Sequence, residues 1–330
     1  LPAANDAAMI LRKTQLVVSL GLCTGLAASV PKDQTAKFDE QGAVMYFEFY
    51  EGDAKYAGSM DMFHSVYDRE NNLLYMCFAT ADHNIRDTKL SEVWYYKSGG
   101  RPGISLKPES YQFKTSTQMF GDGKIPDLGF VGIKIDLSRH IEPVRDLLIN
   151  LAPLKLGLAP TGDRPYDIKA YGYGDSGSPD RDEPDYAYVH HNRMKDEKVG
   201  TKRWYTNNAS NFNVKSSIYD FDGMKYDLTK EGGTRNEGMG LIGDSGGAIF
   251  ADDPKTMIGV FTNFDGKDVL DEGYGIKWGV NGYGVRFNET YIKGLDDACK
   301  AYAVPEPSSA LILAVPVFAL LIRKFRTAAA

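Results

Sequence analysis

The chain has 330 residues, 43% of them hydrophobic and 25% charged, enough to bury a sizeable core in one large domain or two ordinary ones. Its net charge of -6 and pI near 5.5, with no central run of Lys and Arg, argue against a nucleic-acid role, which needs a basic surface to meet phosphate. With 20 Tyr and 34 Gly, the composition leans towards short strands and tight turns.

From Met9 the chain reads Met-Ile-Leu-Arg-Lys, then an apolar stretch over 16–26, then Ala27-Ala28-Ser29. A charged start, a short apolar centre and small residues at the end form the layout of a secretory signal peptide, so 1–29 is expected to be a targeting segment with a short upstream extension. Leu22 before Cys23 disfavours lipid attachment there. Runs rich in β-branched and aromatic residues follow at 44–50, 73–79, 93–97, 128–135, 168–173, 248–250 and 257–262, each bounded by Gly, Pro, Asn or Asp. Weak helical periods occur at 144–151 and 290–302. The polar stretch 175–203 reads as a surface loop; its acidic part, 180–185, suits solvent better than a Ca²⁺ site. Many short strands without helical crossovers imply antiparallel sheets, in a sandwich or in barrels.

The end of the chain carries Val304-Pro305-Glu306-Pro307, an apolar run over 310–322, and Arg323-Lys324-Phe325-Arg326. As a helix, thirteen apolar residues span about 20 Å, short of a hydrocarbon core of roughly 30 Å. The order of the parts resembles the PEP-CTERM sorting signal of Gram-negative bacteria. That resemblance implies a sorting and membrane segment at 303–330, processing by an exosortase, and delivery to the cell envelope or beyond it. Apart from Cys23, the cysteines are Cys77 and Cys299; export permits a disulfide between them, and Cys77 equally suits a buried thiol.

One stretch could carry chemistry: Gly243-Asp244-Ser245-Gly246-Gly247-Ala248-Ile249-Phe250. A nucleophilic serine needs its hydroxyl exposed on a tight turn with backbone N–H groups aimed at a developing oxyanion, and flanking glycines permit that turn. A second Gly-Asp-Ser-Gly, at 174–177, runs on into Ser178-Pro179 with neither a second glycine nor an apolar strand, so Ser176 reads as a turn residue. Such a serine needs a histidine base held by a carboxylate. His64 lies among hydrophobic residues, and His140, His190 and His191 in polar surroundings. His83 stands just past the 73–79 run, where a strand end can present a fixed side chain.

Thr80-Ala81-Asp82-His83 resembles the Thr-Ala-Ala-His of trypsin- and chymotrypsin-like serine proteases, with Asp82 in place of the second alanine. Gly58-Ser59 resembles the Gly-Ser upstream of that histidine. Asp127-Leu128-Gly129-Phe130-Val131 is similar to the family's Asp-Ile-Ala-Leu-Leu, and Gly172-Tyr173-Gly174 to its Gly-Trp-Gly. The resemblance implies an all-β fold of two antiparallel six-stranded barrels closed by a short C-terminal helix, the first barrel in 30–145 and the second in 146–302. It implies His83 as general base, Asp127 as its orienter and Ser245 as nucleophile; Asp136 is the rival carboxylate. Gly243 and Ser245 would supply the oxyanion-hole N–H groups, with Met239, Thr262 and Phe264 at the specificity pocket. Substrates would be proteins or peptides, with no metal or cofactor.

Two features depart from trypsin. Met239 stands where trypsin has a pocket aspartate, which argues against cleavage after Lys or Arg. No activating Ile-Val-Gly-Gly terminus is present to pair with Asp244. A protease-fold binding protein without activity is therefore the second reading. An esterase is the third, disfavoured by the lack of a Gly-x-Ser-x-Gly elbow among alternating strands and helices.

Overall fold

The computed structural model describes residues 42–95, 103–122, 125–174, 185–191, 201–216, 218–229, 233–234, 236–266, 268–270 and 273–303. The signal segment, the sorting segment from 304 onward, Ser176 and the acidic run up to 184 lie outside the described residues. Among the described residues, no helix is long and apolar enough to cross a membrane.

The chain builds two large sheets in succession, antiparallel throughout except for the short parallel pairing of β8 (Lys155–Leu156) with β14 (Thr256–Phe264). The first joins β1 (Val44–Glu51), β2 (Ala54–Asp68), β3 (Leu73–Thr80), β4 (Lys89–Tyr95), β5 (Ile104–Ser105), β6 (Ser110–Lys114) and β7 (Gly129–Asp136), in the order β5-β4-β1-β2-β3-β7-β6. Central β3 reads Leu-Leu-Tyr-Met-Cys-Phe-Ala-Thr, an almost unbroken apolar run, because it is covered on both faces. Two short helices flank β7: α1 (Ser116–Phe120), with a Thr115–Gln118 capping box, and α2 (Glu142–Ile149), with a proline in its first turn.

The second sheet joins β8 (Lys155–Leu156), β9 (Tyr166–Gly172), β11 (Arg203–Lys215), β12 (Asp220–Asp227), β13 (Ala248–Phe250), β14 (Thr256–Phe264) and β17 (Asn281–Arg286), in the order β13-β9-β11-β12-β17-β14-β8. Because β13 also pairs with β14, six of these strands close into a barrel, and a closed barrel has no edge to protect. A small sheet of β10 (Tyr186–His191), β15 (Asp268–Leu270) and β16 (Gly273–Lys277) stands beside it. The fold is all-β, as expected. Each large sheet has seven strands rather than six, the additions being the two-residue β5 and β8, and the first sheet is an open half-barrel rather than a second closed barrel among the described residues.

Helix α3 (Glu289–Ala303) follows the second barrel but returns to pack on the first sheet. Its Tyr302 meets the rings of Phe130 and Tyr75 edge-on, and Cys299 forms a disulfide with Cys77 of β3. The cysteine alternatives resolve to the bridge. One large core extends from the first sheet to Tyr171, Tyr173, Phe250 and Val260 of the second, while a smaller core fills the second barrel.

Candidate active site

A cleft of about 500 Å³ runs between the two sheets. The first contributes Phe49, Tyr56, Ala57, His83 and Asp127; the second contributes Tyr219, Leu241 to Gly243, Ser245 and Phe261 to Phe264. Local sequence sets each position. Strand β3 ends at Thr80, and the chain turns at once into a single 3-10 turn, Asp82–Asn84, that lifts His83 out of the core. Asp127 sits just ahead of β7, 3% exposed.

Asp127 grips His83 twice. One carboxylate oxygen accepts the backbone N–H of His83 at 3.0 Å, and the other lies 2.8 Å from Nδ1. An ionised carboxylate only accepts, so Nδ1 carries the proton and Nε2 keeps its lone pair. Burial pulls the imidazole pKa down, but the charge and hydrogen bond of Asp127, with Asp82 behind, outweigh it and leave the pKa above its ordinary 6.5. With 39% of its side chain exposed, His83 faces the cleft, which favours the carboxylate's pull over burial. Asp136, the rival, lies at the far end of β7, where it caps the turn at Ser138 and pairs with Arg139. His64 lies in β2 and lines a different groove, beside Cys299.

Ser245 projects into the same cleft from the turn between Leu241 and β13. Its hydroxyl donates to the Thr262 carbonyl at 3.0 Å. Its own carbonyl is held from the opposite sheet, by the Ser59 N–H at 2.9 Å and the Asn84 side-chain amide at 2.8 Å. The Gly243 carbonyl turns away from the cleft to accept from the Ser59 hydroxyl, and Gly243 itself adopts a φ of +91°, a conformation natural to glycine. Among the described residues, the N–H groups of Gly243 and Ser245 donate to no backbone acceptor, leaving two donors beside the hydroxyl.

Asp244, 4% exposed, turns inward and accepts from the N–H groups of Gly174 and Leu241, at 2.6 and 2.8 Å. A Cβ at Gly172 or Gly174 would lie 2.0 or 2.6 Å from this carboxylate, which explains both glycines of the Gly-Tyr-Gly motif. Of the expected pocket residues, Thr262 and Phe264 line the cleft. Met239 does not reach it: fully buried in the second barrel's core, it packs behind Gly282, where a Cβ would meet its Cγ at 2.8 Å.

Three contributors escape a reading of the sequence. Asn84 offers only its position next to His83 as a signal. Tyr219 offers none. Asp82 is marked by its departure from the Thr-Ala-Ala-His pattern; fully buried, it binds Arg86, the Ser116 N–H and Tyr219.

No protein-family model and no curated protein matches the chain. Among solved structures, its fold is similar to those of serine proteases. The thermostable serine protease AL20 from an extremophilic microorganism is 12% identical, with a TM-score of 0.49 over 79% of this chain and 99% of that one. HL collagenase is 14% identical, with a TM-score of 0.49 over 84% and 100%. An inactivated protease paralogue of the scabies mite is 13% identical, with a TM-score of 0.47 over 81% and 98%.

Proposed function

We propose that the chain is an exported serine endopeptidase. The observation that carries the reading is the meeting of His83, clamped by Asp127, and Ser245 in one cleft, beside two backbone N–H groups with no backbone acceptor among the described residues. In this mechanism the Ser245 hydroxyl swings from the Thr262 carbonyl towards His83. Its oxygen bonds to the scissile carbonyl carbon while the proton passes to Nε2. The oxyanion is met by the N–H groups of Gly243 and Ser245. When the C–N bond breaks, Nε2 returns the proton to the leaving amine and an acyl-enzyme remains. Water, deprotonated by His83, then bonds to the ester carbonyl carbon; as the ester C–O bond breaks, Nε2 returns the proton to the Ser245 oxygen and the carboxylic acid departs. Asp127 keeps the proton on Nδ1 throughout and stabilises the imidazolium.

The wall formed by Leu241, Ile242, Phe261 and Phe264 supports an apolar P1 residue rather than Lys or Arg. Export rests on the signal-like 1–29 and the PEP-CTERM-like tail, with exosortase as the processing partner, and the Cys77–Cys299 bridge is consistent with it. A second reading, a protease-fold binding protein, draws on the Ser245 hydroxyl's engagement with Thr262 in place of His83. A fluorophosphonate probe separates the two. The active enzyme is labelled, and Ser245→Ala and His83→Ala lose labelling; a folded wild-type chain that resists the probe leaves only the binding protein.

A further inference from the structure

The hairpin between β11 and β12 belongs to the second barrel, yet its tip lies against the first sheet. The Asp220 N–H donates to the Ile125 carbonyl at 3.2 Å, two residues before Asp127. The tip is internally braced, with the Ser216 hydroxyl accepting from the N–H groups of Ile218 and Tyr219 at 3.2 and 2.8 Å. From this tip Tyr219 reaches over the cleft. Its hydroxyl donates to Asp82 Oδ2 at 3.2 Å, and the Arg86 guanidinium sits 5.3 Å from its ring centroid. Asp82 is fully buried in the turn that carries His83. It is further held by Arg86 Nε at 2.9 Å and by the Ser116 N–H at 2.7 Å.

We propose that Asp82 and Tyr219 form a latch between the first sheet and the second barrel, in which the Tyr219 hydroxyl secures the Asp82 carboxylate and thereby fixes the turn bearing His83 against the barrel that carries Ser245. The proposal rests on the protease reading for its purpose, and on the geometry alone for its existence. Base and nucleophile sit on different sheets, so their separation depends on how the sheets meet. At that junction, Ser59 and Asn84 tie the first sheet to the Ser245 carbonyl. The latch ties the second barrel to the His83 turn, so the crossing is fastened at both reacting residues. A hydroxyl-to-carboxylate bond is directional, unlike the apolar packing around it. Asp82 and Tyr219 are positioning residues, acting through His83.

The charged and titratable groups facing Asp82 are Arg86 and His83 on its own turn, Asp127 ahead of β7, and Tyr219 from the opposite hairpin, with the Ser116 N–H from α1. Burial raises the pKa of Asp82, while Ser116 and Arg86 draw it back. Burial likewise pushes up that of Tyr219, aided by the charges of Asp127 and Asp82, so the phenol stays protonated as a donor.

The test is a double-mutant cycle on the full chain. Tyr219→Phe keeps the ring in the cleft and its contact with Arg86 but deletes the donor. It is expected to slow fluorophosphonate labelling about tenfold, with a peptide substrate losing kcat and keeping KM. Asp82→Asn is expected to cause a similar loss, and the double variant no more than either single. Wild-type labelling by Tyr219→Phe, or single losses that multiply to about a hundredfold, overturns the latch. Should Asp82→Asn not fold, the kcat and KM of Tyr219→Phe decide the matter. If wild type itself is not labelled, the protease reading fails separately. The latch is then read by NMR: the ring resonances of His83 move in Tyr219→Phe, and unmoved resonances refute it.

Discussion

Gly246, directly after Ser245, offers a sharp test of how the two sheets meet. Its φ is +87°, and a Cβ there would lie 2.1 Å from the Ser59 carbonyl oxygen and 2.2 Å from Thr80 Oγ1, both on the opposite sheet. Those atoms cannot move aside independently. The Thr80 hydroxyl donates to that same Ser59 carbonyl at 2.8 Å, and the Ser59 N–H donates to Ser245. In Gly246→Ala, the left-handed backbone costs about 1–2 kcal/mol, and forcing a methyl group against fixed backbone costs about 1–3 kcal/mol more. The expected loss is therefore about 2–5 kcal/mol, with the sheets prised apart at Ser245. Gly279 is the control. Its φ is +82°, but nothing lies within 4 Å of its absent Cβ, so Gly279→Ala costs only the backbone share, about 1–2 kcal/mol. Urea unfolding at constant m-value measures both variants, and labelling rate reports the nucleophile. Equal midpoints for the two variants, together with wild-type labelling by Gly246→Ala, would refute the close approach of the sheets behind Ser245.

Asp127→Asn removes the charge that holds the His83 pKa above 6.5. Labelling requires neutral imidazole, so the acid limb of the rate profile should move to lower pH while the plateau falls about 10³–10⁴-fold; an unmoved limb contradicts the assignment. Asp61 is fully buried, with neither carboxylate oxygen hydrogen-bonded among the described residues, and burial raises its pKa well above 3.8 against the opposing charge of Lys202. A raised folded-state pKa gives stability that is present below the unfolded value and lost as pH rises towards the folded one. Relative to wild type, Asp61→Asn should therefore gain stability as pH rises above the ordinary carboxylate range; a difference flat with pH sinks the idea. Joint Cys77→Ala and Cys299→Ala opens a link between residues 222 apart in sequence and should cost about 2–5 kcal/mol, read as a lowered Tm matched by reductant on wild type.

The strands most legible in the sequence are those buried on both faces. The apolar runs at 73–79 and 128–135 match β3 and β7 to within a residue or two. Strand β2 was not legible, because Ser59, Asp61 and His64 interrupt its apolar residues; Ser59 is buried to serve the opposite sheet. Strand β11 was hidden by its asparagines, poor strand formers. Asn207 is tolerated because its amide donates to the carbonyls of Asp227 and Gly238 inside the barrel. In β17, Gly282 and Gly284 read as loop signals, yet each makes room for a neighbour: Tyr226 in one case, Ile249 in the other. Within the site, His83 and Ser245 were legible because local motifs build their turns. Tyr219 was not, since its bond to Asp82 spans 137 residues and leaves no local trace.

The same distinction explains why a tetrapeptide occurring twice identifies only one position. Gly-Asp-Ser-Gly is a turn-forming string, and the copy at 174–177 continues past Gly174 outside the described residues. At 243–246 each residue meets something supplied from elsewhere in the fold. The Gly243 carbonyl accepts from Ser59, Asp244 lies against Gly172 and Gly174, the Ser245 carbonyl meets Asn84, and Gly246 abuts Ser59 and Thr80. Gly174, the first residue of the other copy, serves this turn by donating its N–H to Asp244. A serine on an isolated turn could swing freely. Here the backbone on both sides of Ser245 is fixed by the neighbouring sheet, so its hydroxyl is left to rotate between Thr262 and the cleft. What distinguishes the second copy is thus the set of surfaces built to receive it, and those surfaces come from both sheets.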